Sequence, residues 1–200
     1  MVKALLLYAA LPFHRGKQRL MEHAVALLGV SLPGERVVRR RGLWWALDPA
    51  DYVCRDLFWA GAKDNAQMRA ILEAMRPGGV MLDVGASFGY YSLVTAHALG
   101  EACTIHAFEP NPTAFARLTG NIERNRMRCI EAHPVGLWDH VTGMSVVDDL
   151  PGNSGAAHLV PGGPVPTTTA DAFCAGRALT RVDVMKIDAE GAELRVLRGA

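Results

Sequence analysis

From Gly79 onward, short apolar runs alternate with segments of helical pattern, and that alternation restricts the fold more than any other feature. Residues 80–84 form a strand-length apolar run, and Tyr90–Leu99 follows as a helix stopped by Gly100. Cys103–Phe108 reads as the next strand, leading through Glu109-Pro110-Asn111-Pro112 into a helix that carries Phe115, Leu118 and Ile122. Residues 129–135 and 182–188 read as a third and a fourth strand, and residues 191–198 begin a last helix. Residues 137–147 predict a hairpin turning at 139–143, and the proline- and glycine-rich stretch 151–166 predicts a loop. Parallel strands need crossover helices, so the expected fold class is α/β with a doubly wound sheet.

Residues 1–78 form a lead-in without recognisable chemistry, and residues 79–200 hold the strand–helix core. In the lead-in, Leu20, Ala24, Leu27 and Leu28 recur at helical spacing before a stop at residues 31–34. Two apolar runs flanking residues 39–42 predict a hairpin whose four arginines form a solvated face. Asp64 is placed as the cap of a helix with Met68, Ile71, Leu72 and Met75 on its apolar stripe, and Gln67 completes a capping box. The N-terminal apolar run is short, ends at Pro12 and lacks a cleavage site, so it reads as a terminal helix or strand.

Composition limits the partners. The 200 residues are half apolar and one fifth charged, with a net charge of +1. That balance gives no support for a nucleic-acid or polybasic membrane role. Cys54, Cys103, Cys129 and Cys174 are widely spaced and form no C-x-x-C or Cys/His motif, so neither a zinc site nor a disulfide framework is indicated. No run is long enough to span a bilayer, and a cytoplasmic protein with free thiols is expected.

The chemistry concentrates at strand ends. Asp83-Val84-Gly85-Ala86-Ser87-Phe88-Gly89 places bare backbone where the first strand enters its helix, at the switch point where such sheets bind ligands. The dinucleotide fingerprint is G-x-G-x-x-G; here the order is Asp-x-Gly-x-x-x-Gly, with Ser87 in place of the middle glycine. An acidic Asp83 suits a cofactor with cationic groups, and S-adenosylmethionine carries an ammonium and a sulfonium but no phosphate. Glu109 ends the second strand, where a carboxylate can accept both ribose hydroxyls of an adenosine. Asn111 is better placed to cap the following helix than to touch a ligand. Lys186 and Asp188 are costly in an apolar strand unless they pair or face a cleft. Glu190 is open between the site and the helix start, whereas Glu193 suits the helix dipole.

Together these segments resemble the FkbM family of S-adenosylmethionine-dependent methyltransferases. The likeness runs through residues 80–93, Phe108-Glu109-Pro110-Asn111-Pro112, Asn121 with Asn125, 168–171, 186–193 and 196–200. It departs at Ser87-Phe88, where the family usually has Asn-Ile. The resemblance implies a class I methyltransferase (Rossmann-like) sheet. It also implies methyl transfer to a hydroxyl of a small-molecule or saccharide acceptor. A metal is not expected, because only Asp188 and Glu190 are obvious oxygen ligands. Asp83, Gly85, Ala86, Ser87, Gly89, Glu109, Pro110 and Asn111 are the expected cofactor-binding residues. Asp188, Glu190 and Lys186 are the candidates to take the hydroxyl proton, with His133 a weaker one. Tyr90, Trp44, Trp45 and Trp59 are pocket candidates that core packing explains as well.

Three rival readings are a nicotinamide oxidoreductase, a metal-assisted methyltransferase and an inactive cofactor-binding remnant. The last follows from length, because a seven-stranded sheet of order 3-2-1-4-5-7-6 would lose its final strands after Asp188. Residues 182–187 would then be an exposed apolar edge. The expected remedies are truncation, cover by the N-terminal hairpin, or a second copy of the chain covering that edge.

Overall fold

The computed structural model describes residues 20, 23–24, 27, 29, 32, 34–61, 65–150 and 152–200. Four parallel strands form the main sheet: β3 (Gly79–Val84), β4 (Cys103–Phe108), β5 (Ile130–His133) and β10 (Val184–Ile187). Their order is β10-β3-β4-β5, so the chain reverses direction across the sheet between β3 and β10. Ligand sites of open α/β sheets lie outside the carboxyl ends of the strands at such a reversal. The crossovers are α3 (Tyr90–Leu99) and α4 (Pro112–Asn125), both foreseen in the sequence.

Strand alternation divides the core between the two faces of this sheet. Met81, Ile105, Ala107 and Ile130 join one buried cluster, which also holds Trp45, Phe58 and Phe88. Leu82, Val84 and Phe108 join a second cluster with Leu137, Ala170 and Val196. The apolar runs of β3 and β4 therefore reflect cover on both sides.

The hairpin predicted in the lead-in is present as β1 (Arg36–Arg40) and β2 (Leu43–Leu47), paired antiparallel. It packs through β2 on α4 rather than covering β10. The outer edge of β2 is closed by side chains of α4. Asn125 Oδ1 accepts from Trp44 N at 2.8 Å, and its Nδ2 donates to Trp44 O at 2.6 Å. Asn121 Oδ1 accepts from Ala46 N at 2.7 Å, while its Nδ2 donates to Phe88 O at 3.0 Å. A free strand edge is thereby satisfied by two side-chain amides one turn apart. The arginines correct the solvated-face expectation in part. Arg36 and Arg39 are exposed, but Arg40 donates twice to Phe58 O and Arg41 donates to Tyr90 Oη at 2.6 Å.

The helix after residue 64 is α2 (Asn65–Ala74), with Met68 and Ile71 buried; Met75, one residue beyond it, is also buried. Its predicted cap Asp64, the terminal run, Leu28 and parts of the first predicted helix lie outside the described residues. A preceding helix, α1 (Tyr52–Ala60), was not foreseen; Asp51 caps it and buries Cys54, Leu57 and Phe58 behind it.

The segment between β5 and β10 departs most from expectation. No hairpin forms within residues 137–147. Instead β6 (Gly136–Leu137) pairs in parallel with β9 (Val165–Thr168). The strand β7 (Gly143–Val147) pairs antiparallel with β8 (His158–Pro161) and β9. Residues 151–166, expected as loop, therefore supply β8, part of β9 and a short 3-10 turn at Ser154–Ala156. Helix α5 (Ala170–Gly176) then leads to β10, and α6 (Glu193–Arg198) follows. All four β10 residues are half-buried, and Leu194 and Leu197 are exposed. All four cysteines are free. No helix among the described residues is long and apolar enough to cross a membrane.

Asn121 is fully buried, so its replacement by leucine leaves the Ala46 N–H and the Phe88 carbonyl without partners. The expected loss is about 2–6 kcal/mol in urea unfolding, at about 1–3 kcal/mol for each of the two orphaned groups.

Candidate active site

At the carboxyl ends of β3, β4 and β10 lies a cleft that opens to solvent. Its floor is the turn from β3 into α3. Gly85 adopts φ +71°, and a Cβ there would stand 1.9 Å from the carbonyl oxygen of Asp188. The turn and the end of β10 thus touch backbone to backbone, which only glycine permits. Ser87 has φ +52°. Serine tolerates that left-handed conformation less well than asparagine or glycine.

Four of the turn's amides are consumed inside the protein. Gly85 N and Ala86 N both donate to Phe108 O at 3.0 Å, and Gly89 N donates to Ala86 O at 2.8 Å. Ser87 N donates to Glu109 Oε2 at 2.7 Å, and Asn111 N donates to Glu109 Oε1 at 2.9 Å. Glu109 is only 7 % exposed. Burial raises its pKa above the usual glutamate value, opposed by the two amides and by Lys186. A buried carboxylate is thereby aimed into the cleft, with each oxygen keeping a lone pair for a further donor.

Under the turn sits an ion pair. Asp83 of β3 and Lys186 of β10 are register partners on neighbouring strands. Asp83 is fully buried; its Oδ2 accepts from Ser92 Oγ at 2.6 Å and its Oδ1 lies 3.2 Å from Lys186 Nζ. The same ammonium donates to Gly85 O at 2.7 Å and lies 5.0 Å from the Tyr91 ring centroid. Lys186 is committed to holding the turn and to neutralising Asp83.

The far side of the cleft is acidic. Asp188 lies 3.9 Å from Lys186 Nζ with its side chain 62 % exposed. Glu190 has φ +47°, and burial followed by repulsion from Asp188 and Glu193 raises its pKa. Raised carboxylate pKa values and strained backbone cluster at functional sites. Glu193 instead accepts from Ala189 N and Gly191 N at the start of α6.

The structure brings Gly85, Ala86, Ser87, Glu109, Pro110, Lys186, Asp188 and Glu190 together around the cleft. Asp83, Gly89 and Asn111 are not in its lining. Asp83 acts from below through Lys186. Gly89, at φ +93°, turns the chain into α3, and Asn111 Oδ1 caps α4 through Thr113 N and Ala114 N. His133 is likewise outside the cleft lining, although it is the last residue of β5. Of the aromatic candidates only Tyr90 reaches the cleft; Trp45 and Trp59 are core, and Trp44 is half-exposed.

Sequence reasoning missed the third wall, formed by Ser154, Gly155, His158 and Leu159. It is anchored by buried Asp51, which accepts from Ser154 Oγ at 2.6 Å and from Arg117 Nη1 at 3.1 Å. The prolines and glycines of 151–166 masked this wall, and the only signal was the lone His158.

Replacing Lys186 with methionine strands Asp83 in the interior. The expected cost is about 3–5 kcal/mol by chemical denaturation, partly recovered in Asp83→Asn/Lys186→Met.

Two curated methyltransferases are similar in sequence to this chain. A 31-O-demethyl-FK506 methyltransferase of Streptomyces tacrolimicus is 40 % identical over 78 residues, covering 39 % of this chain and 28 % of that protein. The hexuronic acid methyltransferase AglP of Haloferax volcanii is 28 % identical over 134 residues, covering 66 % of this chain and 54 % of its own. The chain thus spans at most about half the length of these two relatives. Among solved structures, a methyltransferase FkbM of Methylobacillus flagellatus aligns over 68 % of this chain and 36 % of its own, with 19 % identity and a TM-score of 0.41. The family profile described as the methyltransferase FkbM domain matches residues 83–200, from the buried aspartate of β3 through α6, and the chain belongs to that family.

Proposed function

We propose that the cleft binds S-adenosylmethionine and that the chain carries an O-methyltransferase site for a hydroxyl-bearing small molecule or sugar. One observation carries this reading: the amides of Gly85, Ala86 and Ser87 all donate within the protein. A dinucleotide site needs such amides for a pyrophosphate. Here they close on a carbonyl and on Glu109, so the floor of the cleft offers a buried carboxylate in place of an anion hole. A ligand with vicinal ribose hydroxyls and cationic groups complements it.

When bound, S-adenosylmethionine supplies a methyl group on a sulfonium leaving group. The protein's share is positioning and proton removal. Glu109 accepts the ribose hydroxyls. Lys186 fixes the glycine turn, and its ammonium, shared between Asp83 and Gly85 O, is poorly suited to act as a base. Glu190 takes the acceptor's proton, since a raised carboxylate pKa makes a stronger base near neutral pH. Asp188, on the same side of the cleft, supports it by raising the Glu190 pKa through charge repulsion. The relatives are named for an O-demethylated compound and for a hexuronic acid, which supports oxygen as the methylated atom.

The test is methyl transfer from labelled S-adenosylmethionine to a panel of sugar and polyketide alcohols. Glu190→Gln is expected to lower kcat by about 10²–10⁴-fold while leaving S-adenosylhomocysteine affinity unchanged. The wild-type rate should rise with pH through a carboxylate pKa above that of ordinary glutamate, because the ionised form is the base. Turnover of Asp188→Asn/Glu190→Gln within a few-fold of wild type would overturn the assignment.

A further inference from the structure

We propose that His106, Glu131 and His133 form a binding site for a borderline divalent transition metal, with zinc the best match. None of the three lines the cleft. His106 of β4 and Glu131 of β5 are register partners, and His133 follows Glu131 by two residues, so all three side chains share one face of the sheet. His106 Nδ1 lies 3.3 Å from His133 Nε2 and 3.7 Å from Glu131 Oε2. The three donor atoms lie within 4.8 Å of one another.

These separations match a metal's coordination shell. Two nitrogens each about 2.0–2.1 Å from a tetrahedral zinc stand about 3.3–3.4 Å apart. Two imidazoles and a carboxylate are a known zinc donor set, leaving a fourth position for water. Copper(II), nickel(II) and cobalt(II) compete for the same donors in the Irving–Williams order.

The donors are also held in place. His133 stacks on Phe108 with ring centroids 5.0 Å apart, and Phe173 of α5 packs T-shaped against both histidines. Arg177, one turn after Phe173, donates through two nitrogens to the two Glu131 oxygens and fixes that carboxylate. A carboxylate offers about four lone-pair sites, so Arg177 and a metal can share it. The histidines are buried while the Glu131 side chain is 49 % exposed, which gives an ion a route of entry. His106 Nε2 has no hydrogen-bond partner among the described residues, so no polar contact there opposes presenting Nδ1 to a metal.

The experiment is titration of the untagged, chelator-treated chain with cobalt(II), followed by displacement with zinc. Saturable one-to-one visible absorption is expected, with a thermal midpoint raised by zinc. Glu131→Gln, a change at a half-exposed position, should weaken binding at least about tenfold. His106→Phe/His133→Phe should abolish it, and Cys103→Ser/Cys129→Ser should retain it. Absence of saturable binding would mean a neutral histidine pair only and would overturn the proposal. Binding undiminished in Glu131→Gln, or lost only with the cysteine pair, would overturn it equally.

Discussion

The close approach of two backbone segments at Gly85 governs the rest of the site. With the Asp188 carbonyl where a side chain would begin, β3 and β10 end side by side and their loops face one cleft. That approach would bury Asp83 unbalanced if Lys186 did not reach across from the neighbouring strand. The lysine answers both needs at once, pairing with Asp83 and binding the Gly85 carbonyl. Burying a charge is tolerable only with such a partner, so these residues form one interdependent unit.

Around that unit, α4 acts as a second organiser. Asn121 and Asn125 close the edge of β2, Arg117 meets Asp51, and the Asn111 cap sets where the helix begins beside Glu109. Residues 36–61 therefore share one core with the strand–helix unit, and a cleft wall formed more than a hundred positions later in sequence is tied to them through Asp51.

The parallel sheet was legible because its strands are buried on both faces and its turns are marked by glycine, proline and a capping asparagine. Tyr90–Leu99 and Cys103–Phe108 are placed by sequence at the bounds the structure shows. Local pattern failed where pairing partners are distant. The strands β6 to β9 are short, rich in breakers and matched across long separations, so residues 137–166 read as hairpin and loop. The same limit hid the His106, Glu131 and His133 cluster, which exists only once β4 and β5 are laid side by side. At the cleft, residue types identified Glu109 and the glycine turn. Whether Asp83 and Lys186 touch ligand or each other depends on register, which sequence does not display.

A cleft built, as proposed, for a nucleoside carrying positive charge and no phosphate is told from a dinucleotide site by its ligands. Calorimetric titration of the 200-residue chain with S-adenosylhomocysteine and, separately, with NAD addresses that distinction most directly. Saturable binding of S-adenosylhomocysteine, lost in Glu109→Ala, is expected, with no detectable binding of NAD. Tighter binding of NAD than of S-adenosylhomocysteine would contradict the proposal.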